Sequence, residues 1–455
     1  MSISQAPIGP DDALALRYAR PVPRYTSYPT VPYWTKTPLP RGRWLDLVRA
    51  GAEGGVSLYV HLPFCERLCT YCGCNKRITR RHEVEAPYVD ALLAEWAIYR
   101  TALPAEPVIK QLHLGGGTPT FFSPGQLARL LAGLLEGAAV PRRRDYSVEV
   151  HPATTTREQL ATLAEFGFNR LSIGVQDVDP RVLGLINRPQ DARQVADCVR
   201  WGRELGYRSI NFDLVYGLPG QGAEQIAANV ELVRQLRPDR IAHYGYAHVP
   251  WRSPGQRGYD EADLAGPIER WALRESAADS FAELGYETIG FDHYALPGDP
   301  LARAKRNGRL SRNFMGYTTL RHTALLGLGC SAISEVGGAF AQNLKGVEEY
   351  AAAVGRGELA HFNGHTPSGR DQQVSRLIKE LLCSGSTSLP AFDLGYTLPV
   401  LERLREPLRE GLVTLNGLTV RLTEAGRALS RHVALALDER YWRRRPTVPT
   451  FSGGV

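Results

Sequence analysis

The chain has 455 residues, of which 43% are hydrophobic and 22% are charged, a composition typical of a soluble globular enzyme with a sizeable core. Its 45 glycines and 31 prolines are too few for a fibrous or disordered protein. No run of about 18 predominantly apolar residues is present, which argues against a transmembrane helix. The first residues lack the basic start and apolar core of a secretory signal, so we expect a cytoplasmic protein with no membrane partner.

Lysine and arginine exceed aspartate and glutamate by 54 to 47, which gives a net charge of +7. This modest excess favours an anionic partner and does not say which. Nucleic acid is a poor candidate, because the basic residues lack the interleaved aromatic residues of a base-stacking surface. We therefore predict that nucleic acid is not a partner.

The first fifty residues are rich in proline and aromatic residues, as in Pro21–Thr30, which predicts an irregular arm that packs onto another part of the chain. From Ser57 onward, short β-rich runs alternate with amphipathic helical stretches. The six runs are Leu58–Leu62, Val108–Leu114, Tyr146–Val150, Arg170–Val175, Ile210–Val215 and Arg240–Tyr246. The five helical stretches are Val84–Arg100, Pro124–Leu135, Arg157–Glu165, Ala192–Leu205 and Glu224–Leu236. Six βα units in series predict a parallel sheet, either doubly wound or curved into a barrel.

Beyond Tyr246 the pattern is less regular, with a predicted helix at Glu269–Leu284 and a predicted strand at Thr288–Phe291. From about Thr366 two helical stretches and a hairpin around Asn416-Gly417 indicate a small, mostly helical domain. The predicted organisation is an N-terminal arm (1–50), a catalytic domain (51–365) and a C-terminal domain (366–455).

Four cysteines, Cys65, Cys69, Cys72 and Cys74, follow the first predicted strand within ten positions. Short spacings of this kind are typical of iron–sulfur ligands, whereas a structural zinc site usually needs a second pair of ligands further along the chain. A metal-free group of four thiols would be prone to oxidation. Iron–sulfur is therefore favoured over zinc, and both are favoured over no metal. Cys74 is only two positions from Cys72, which makes binding of both to one cubane awkward and favours three thiolates with one open iron.

This motif resembles that of the radical S-adenosylmethionine (SAM) superfamily, and with Gly73-Cys74-Asn75-Lys76 it resembles the oxygen-independent coproporphyrinogen III oxidases. Further matching blocks run in the family's order: Pro23–Thr30, Tyr59–Phe64, His113–Thr120, Gly174–Asp177, Asn211–Pro219, Arg312–Thr319 and Ser331–Ser334. The resemblance implies a partial (βα)6 TIM-like barrel of the radical SAM type. It also implies a [4Fe–4S] cluster and SAM as cofactors, with room for a second SAM.

The resemblance also implies site residues. Cys65, Cys69 and Cys72 would hold the cluster. SAM would be bound by Tyr59, Tyr71, Gly116, Gly117, Thr118, Glu149, Gln176, Arg188, Asp213, Ala247 and Ile333. Tyr59, His61 and Cys74 would act in catalysis. Two positions depart from the expected family pattern, because Met315 replaces Gln and His151 replaces Asp.

The implied substrate, coproporphyrinogen III, carries four propionates whose desolvation requires cations, and Arg24 and Arg312 are the arginines inside matching blocks. The implied reaction is oxidative decarboxylation of two propionates to vinyl groups by a 5′-deoxyadenosyl radical, which gives protoporphyrinogen IX. An electron donor such as flavodoxin or ferredoxin would be a partner, and we expect a monomer. The rival interpretation is a haem-trafficking relative without decarboxylase activity, although such relatives lack the Gly73-Cys74 pair and the Arg24–Thr30 arm.

Overall fold

The computed structural model describes residues 10–320 and 324–453. Helix α1 (Pro10–Tyr18) and helix α2 (Arg41–Gly51) are joined by a largely irregular segment. The first fifty residues were predicted to form an irregular arm, so α1 and α2 are corrections to that prediction. The residues of α2 follow Pro40 and include no proline, which leaves every backbone N–H available for a helix. Trp44 and Val48, one turn apart, are both buried and fix the helix to the core.

The central part of the chain alternates strands and helices as predicted, and all six strands and five helices lie within a few residues of their predicted positions. In order, these elements are β1 (Val56–Leu62), β2 (Phe64–Cys65), β3 (Arg77–Ile78), α3 (Glu85–Arg100), β4 (Ile109–Gly116), α4 (Pro124–Leu135), β5 (Asp145–Val150), α5 (Arg157–Glu165), β6 (Arg170–Gln176), α6 (Pro180–Leu185), α7 (Ala192–Glu204), β7 (Ser209–Tyr216), α8 (Ala223–Leu236) and β8 (Arg240–Gly245).

The following part is a mixture of short strands and helices. It contains α9 (Pro267–Glu283), β9 (Glu287–Ile289), β10 (His293–Ala295), α10 (Pro300–Arg306), β11 (Ser311–Asn313), β12 (Gly316–Thr318), β13 (Ala324–Leu328), β14 (Ile333–Val336), β15 (Ala339–Asn343), α11 (Val347–Gly355) and β16 (His361–His365). The helix predicted at Glu269–Leu284 is α9. The strand predicted at Thr288–Phe291 is β9, which ends two residues earlier.

The C-terminal part is mostly helical and contains the predicted hairpin. Its elements are α12 (Gly369–Ser384), β17 (Ser386–Ser388), α13 (Leu394–Arg403), α14 (Arg405–Arg409), β18 (Val413–Asn416), β19 (Thr419–Leu422), α15 (Glu424–Ala428), α16 (Ser430–Leu437) and α17 (Glu439–Arg443). Within the described residues, no helix combines the length and the apolar character that crossing a bilayer requires.

Twelve strands form one sheet in the order β16-β15-β14-β13-β1-β4-β5-β6-β7-β8-β10-β9. The seven strands from β13 to β8 are parallel, and antiparallel strands extend the sheet on both sides. The predicted partial barrel of six βα units is confirmed. The sequence analysis did not predict the seventh parallel strand, β13, which lies beside β1.

Helices cover the sheet because their apolar residues recur at helical spacing. In α4 the buried residues are Leu127, Leu130, Leu131 and Leu134, which form one face. Capping boxes begin two of these helices: Thr156 with Gln159 at α5, and Asp191 with Gln194 at α7. Such caps satisfy backbone N–H groups that the first helical turn leaves unpaired.

The N-terminal arm packs where the barrel meets the C-terminal part. Tyr25 and Tyr28 share a core with Leu377 and Leu381 of α12, and the Tyr25 hydroxyl donates to Asp438 at 3.1 Å. Trp34 stacks on Phe340 of β15 with ring centroids 5.2 Å apart. The arm is thereby held across the carboxyl ends of the strands by contacts at both of its sides.

Candidate active site

A cavity of about 610 Å³ lies at the carboxyl ends of the parallel strands, where parallel αβ barrels carry their chemistry. It brings together most of the predicted site residues, although they are far apart in the chain. Those that line it are Arg24, Cys65, Cys69, Tyr71, Cys72, Cys74, Gly116, Gly117, Thr118, Glu149, Gln176, Arg188, Asp213 and Ala247. The cavity therefore has the cysteine loop on one side and the ends of β4 to β8 around it.

Four predicted residues lie outside this lining: Tyr59, His61, Ile333 and Arg312. The Tyr59 hydroxyl is 3.0 Å from His61 Nδ1, as expected for neighbours on one face of β1. His61 Nε2 is 2.9 Å from the carbonyl oxygen of Asn75, which ends the cysteine loop. Burial lowers the pKa of His61, so its ring is neutral and accepts at one nitrogen only. This pair therefore lies behind the cavity wall and ties the cysteine loop to β1.

Each of the three cysteine thiols that lead the motif has a donor beside it. Thr118 Oγ1 donates to Cys65 Sγ at 3.2 Å, and Arg188 Nη1 lies 3.6 Å from Cys69 Sγ. A hydrogen bond from Cys74, aided by the nearby Lys76 ammonium against the effect of burial, lowers the pKa of Cys72 to about 6. These contacts favour the thiolate of Cys72, the form that binds metal, whereas burial raises the pKa of Cys65 to about 11 despite the Thr118 donor.

The donor set of these thiols fits an iron–sulfur cluster. Cys65, Cys69 and Cys72 line the same cavity, and none of the three is in a disulfide. Iron–sulfur clusters are held by cysteine thiolates, so these three residues would hold the cluster.

Residues that the sequence analysis did not single out hold the backbone of the cysteine loop. Lys76 Nζ donates to the carbonyl oxygen of Cys72 at 2.9 Å, and Ser253 Oγ donates to the same oxygen at 3.2 Å. The buried Gln256 side chain donates to the carbonyl oxygens of Tyr71 and Ala247, at 3.0 and 3.1 Å. One amide thus brings together Tyr71 and Ala247, two of the residues predicted to bind SAM.

The glycine turn after β4 packs tightly against the start of the cysteine loop. A Cβ atom at Gly117 would lie 2.5 Å from the carbonyl oxygen of Pro63, and one at Gly116 would lie 2.7 Å from the His61 ring. The N–H groups of this turn are committed to the protein: Gly116 to Glu149, Gly117 to Leu62 and Thr118 to Phe64. The turn can therefore offer a ligand carbonyl acceptors only, which suit an ammonium group.

Glu149 at the end of β5 and Asp213 in β7 face the cavity, and their pKa values are shifted in opposite directions. Burial opposes ionisation of Glu149, but His113 Nε2 at 3.1 Å and the Gly116 N–H at 3.2 Å outweigh it and lower the pKa. Burial, with the Glu149 charge nearby, raises the pKa of Asp213 to about 6, despite hydrogen bonds from Ser172 and Asn211. His113 belongs to a matching block, but its role was not predicted from the sequence.

Gln176 and Arg188 are brought together by a distorted end of β6. Gln176 has φ of 65° and follows an irregularity in the pairing of β6 with β7. An unfavourable backbone conformation of this kind is typical of functional sites. The Arg188 guanidinium is buried and donates to the Gly174 carbonyl oxygen and to Gln190 Oε1. Its remaining nitrogen is the one directed at Cys69.

Arg24 and Arg312 lie close together near Asp292. The Arg24 guanidinium sits 5.2 Å from the centre of the Tyr244 ring and 4.0 Å from the Asp292 carboxylate. Arg312 is 6% exposed and lies 4.6 Å from the centre of the Tyr317 ring. Its Nε and Nη1 have no hydrogen-bond partner among the described residues. Arg24 thus reaches the cavity, and Arg312 lies behind it with unused donors.

Comparison with known proteins identifies close relatives over almost the whole chain. The model of the radical SAM superfamily matches residues 59–233. The oxygen-independent coproporphyrinogen III oxidase of Pseudomonas aeruginosa is 38% identical and covers 94% of this chain and 95% of its own length. The Escherichia coli protein of the same name is 37% identical and covers 99% of both chains. These relatives favour the oxidase over the haem-trafficking alternative.

A solved structure of the coproporphyrinogen III oxidase of Escherichia coli, a radical SAM enzyme, matches with a TM-score of 0.87 at 36% identity. The match covers 92% of this chain and 97% of that one. The predicted cofactors, a [4Fe–4S] cluster and SAM, are confirmed by membership of this superfamily. The chain belongs to the oxygen-independent coproporphyrinogen III oxidases of the radical SAM superfamily.

Proposed function

We propose that this protein converts coproporphyrinogen III to protoporphyrinogen IX by oxidative decarboxylation of two propionate side chains to vinyl groups, without oxygen. The observation that carries the proposal is a single cavity that is lined by the three cysteines and also by Arg24 of the N-terminal arm. A cavity lined by both would give a propionate a cation in the same space as the residues that would hold the cofactors. When bound, the cluster and SAM supply the 5′-deoxyadenosyl radical that abstracts a hydrogen atom from the propionate β-carbon.

Each part of the cavity wall suits a different part of SAM. Carbonyl oxygens of the Gly115–Gly117 turn suit the methionyl ammonium, and the Arg188 guanidinium suits a carboxylate. Glu149, held ionised, can accept hydrogen bonds from ribose hydroxyls, and Asp213 with Gln176 extends the same polar wall. Tyr71 and Ala247 form the adenine side, which Gln256 holds in place.

The residues proposed for catalysis lie around the cysteine loop. Cys74 is exposed to the cavity, while Cys72 and burial raise its pKa well above the ordinary value. Its thiol is therefore protonated, which makes it a poor ligand for iron and leaves it at the cavity for a role toward substrate. Tyr59 and His61 position the loop through Asn75. Ile333 packs with Trp34 and Phe340, so we place it in support of the wall.

Substrate recognition is assigned to the arginines at the arm. Arg24 is 43% exposed in its side chain and lines the cavity, so it can meet a propionate directly. Arg312 donates from Nη2 to the Arg24 carbonyl oxygen at 3.5 Å, and its two unused donors can take a second propionate or support Arg24. Burying a carboxylate without such partners costs several kcal/mol.

The remaining features of the proposal concern the protein's surroundings. We expect a monomer, and the lack of disulfides among the described cysteines is consistent with a reducing cytoplasm. The cluster requires an external electron donor, for which flavodoxin or ferredoxin has suitable chemistry. Gel filtration of the reconstituted protein and cell fractionation test the oligomeric state and the compartment.

The proposal is tested by anaerobic reconstitution with iron and sulfide, followed by two measurements. Electron paramagnetic resonance of the reduced protein should change when SAM is added, because SAM binds the open iron. Incubation with coproporphyrinogen III, SAM and dithionite should yield protoporphyrinogen IX, measured by chromatography after oxidation. A spectrum unaffected by SAM, or tight haem binding without vinyl formation, would overturn the proposal.

A further inference from the structure

The outer side of the cysteine loop carries three exposed apolar side chains. Ile78, Leu185 and Trp251 are 41%, 45% and 47% exposed, and each lies on a segment that contacts the loop. Ile78 pairs with Cys65 in the β2–β3 ladder. The Leu185 carbonyl oxygen accepts from Thr70, and Trp251 is two residues from Ser253, which donates to Cys72.

Six exposed arginines that do not line the cavity lie on the same three segments as these apolar side chains. They are Arg77, Arg80, Arg81, Arg181, Arg252 and Arg257. Residues 65–81, 181–190 and 247–258 contain a single acidic residue, Glu66. Arg77 meets one acid from elsewhere, Glu348, at 3.0 Å. We call these six arginines and the three apolar residues the cysteine-loop face.

The cysteine-loop face is separate from the cavity, since none of its nine residues is among the described residues that line it. A substrate held in the cavity therefore does not account for them. Exposed apolar side chains accompanied by charged ones are typical of a protein interface. The excess of arginines on these segments favours an acidic partner and speeds its approach.

We propose that the cysteine-loop face docks an acidic protein that carries a one-electron redox centre, a flavin or an iron–sulfur cluster. The inference rests on the proposed function, which requires electrons from outside the chain. In each encounter the partner's reduced centre loses one electron and this protein's cluster gains it, with no proton transferred. Neighbouring strands lie about 4.8 Å apart, so a partner that touches Ile78 is one strand spacing from the backbone of Cys65.

The test compares two reductants in reconstituted full-length protein. The first is reduced flavodoxin, an acidic flavoprotein, and the second is dithionite, a small reductant that needs no docking surface. The test variants are Arg80→Glu with Arg81→Glu, and Trp251→Ala. The matched control is Arg142→Glu with Arg143→Glu, an equal charge change on an exposed loop before β5, at the opposite ends of the strands.

With flavodoxin, both test variants should turn over at least tenfold more slowly than wild type. The wild-type rate should fall steeply as salt is raised, and the charge-reversed variant should lose most of that dependence. With dithionite, every variant should match wild type. The control variant should match wild type with both reductants.

Equal losses with both reductants would assign these residues to substrate or cluster binding and overturn the proposal. Unchanged flavodoxin-driven rates in both test variants would overturn it as well. Failure of the proposed function would give a different result: wild type would form no protoporphyrinogen IX even with dithionite. In that case bleaching of the cluster absorbance by reduced flavodoxin still tests the docking surface, because it requires no turnover.

Discussion

Glu95 and Glu149 are two carboxylates in hydrogen-bond networks. They differ in how many of their lone pairs the protein occupies. Glu95 of α3 is fully buried and accepts hydrogen bonds from the Gly329 N–H at 2.8 Å, Asn343 Nδ2 at 2.7 Å and the Tyr350 hydroxyl at 2.6 Å. Burial raises its pKa to about 7. Glu149 has two protein donors, an exposed fraction of 44% in its side chain, and a lowered pKa.

The contrast separates a structural acid from the acid proposed to bind SAM. Three donors occupy Glu95, from the residue that follows β13, from β15 and from α11, so its network joins these parts of the chain to α3 and leaves nothing to offer a ligand. Glu149 keeps free lone pairs that face the cavity and remains ionised there. Burial alone therefore does not distinguish a ligand-binding carboxylate from a structural one. The distinguishing feature is the presence of lone pairs that no protein donor occupies.

The largest expected effect comes from the cysteines, which also include one residue at the cavity and one in the core. Cys65 lines the cavity, whereas Cys198 is fully buried in the core and burial raises its pKa to about 12. Cys65→Ala should abolish cluster retention and activity, because a cluster ligand is lost. Cys198→Ala should retain both and cost about 1 kcal/mol of stability. Iron and sulfide content with the decarboxylation assay measure this, and a fully active Cys65→Ala protein would remove the cluster assignment.

Glu95→Gln tests the structural member of the pair through pH. With a folded-state pKa of about 7 against an ordinary value of 4.5, folded protein holds a proton that unfolded protein releases between these values. The free energy of unfolding therefore falls as pH rises from about 4.5 to about 7, by about 3 kcal/mol from this group. The glutamine variant cannot ionise and should lack that fall.

The measurement is urea unfolding of wild type and Glu95→Gln between pH 5 and pH 8. The difference between the two curves cancels the other titrating groups, which the substitution leaves in place. Curves that run parallel across this range would show that Glu95 is ionised in the folded protein, and the contrast with Glu149 would lose its electrostatic basis.

Gly117→Ala tests whether close packing of the glycine turn against Pro63 holds the cysteine loop in position. The new Cβ would lie 2.5 Å from the Pro63 carbonyl oxygen, and Pro63 directly precedes β2 with Cys65. We expect a loss of about 1–3 kcal/mol of stability from overpacking and several-fold lower cluster content. The control is Gly125→Ala in α4, where the new Cβ would meet nothing within 4 Å. It should raise the stability by up to about 1 kcal/mol. Equal behaviour of the two variants in thermal unfolding and iron analysis would contradict the packing argument.

The sequence predicted the elements whose signal is local. Strand and helix alternation located six βα units, and the spacing of Cys65, Cys69 and Cys72 located the loop that faces the cavity. Strand β13 gave no such signal, because its partner β1 lies more than 260 residues earlier in the chain. It has the apolar composition of many core segments, and only the folded sheet shows that it is parallel.

Supporting residues were missed for a related reason. Gln256 and Glu95 are single polar residues in unremarkable surroundings, and their roles arise from partners that are distant in sequence. Helix α2 was missed because the prolines before it dominated the reading of the first fifty residues. The resemblance supplied Glu149 and Asp213 by position, but it could not tell that their pKa values move in opposite directions.

Glu149→Gln has the smallest expected effect and gives the sharpest test of the contrast. The amide keeps an acceptor oxygen for Gly116 or His113 but loses the charge that strengthens hydrogen bonds from ribose hydroxyls. We expect the Kd for SAM to rise about tenfold, or about 1.4 kcal/mol, with stability changed by less than about 0.5 kcal/mol. Equilibrium dialysis of reconstituted protein gives the first quantity and urea unfolding gives the second.

The matched control is Glu358→Gln, which neutralises an exposed glutamate paired with Arg356 and should change neither quantity. If Glu149→Gln instead leaves SAM affinity intact and loses several kcal/mol of stability, Glu149 behaves as Glu95 does. The open side of its hydrogen-bond shell would then be filled by the protein rather than by SAM, and the polar wall of the cavity would have to be assigned to Asp213 and Gln176 alone.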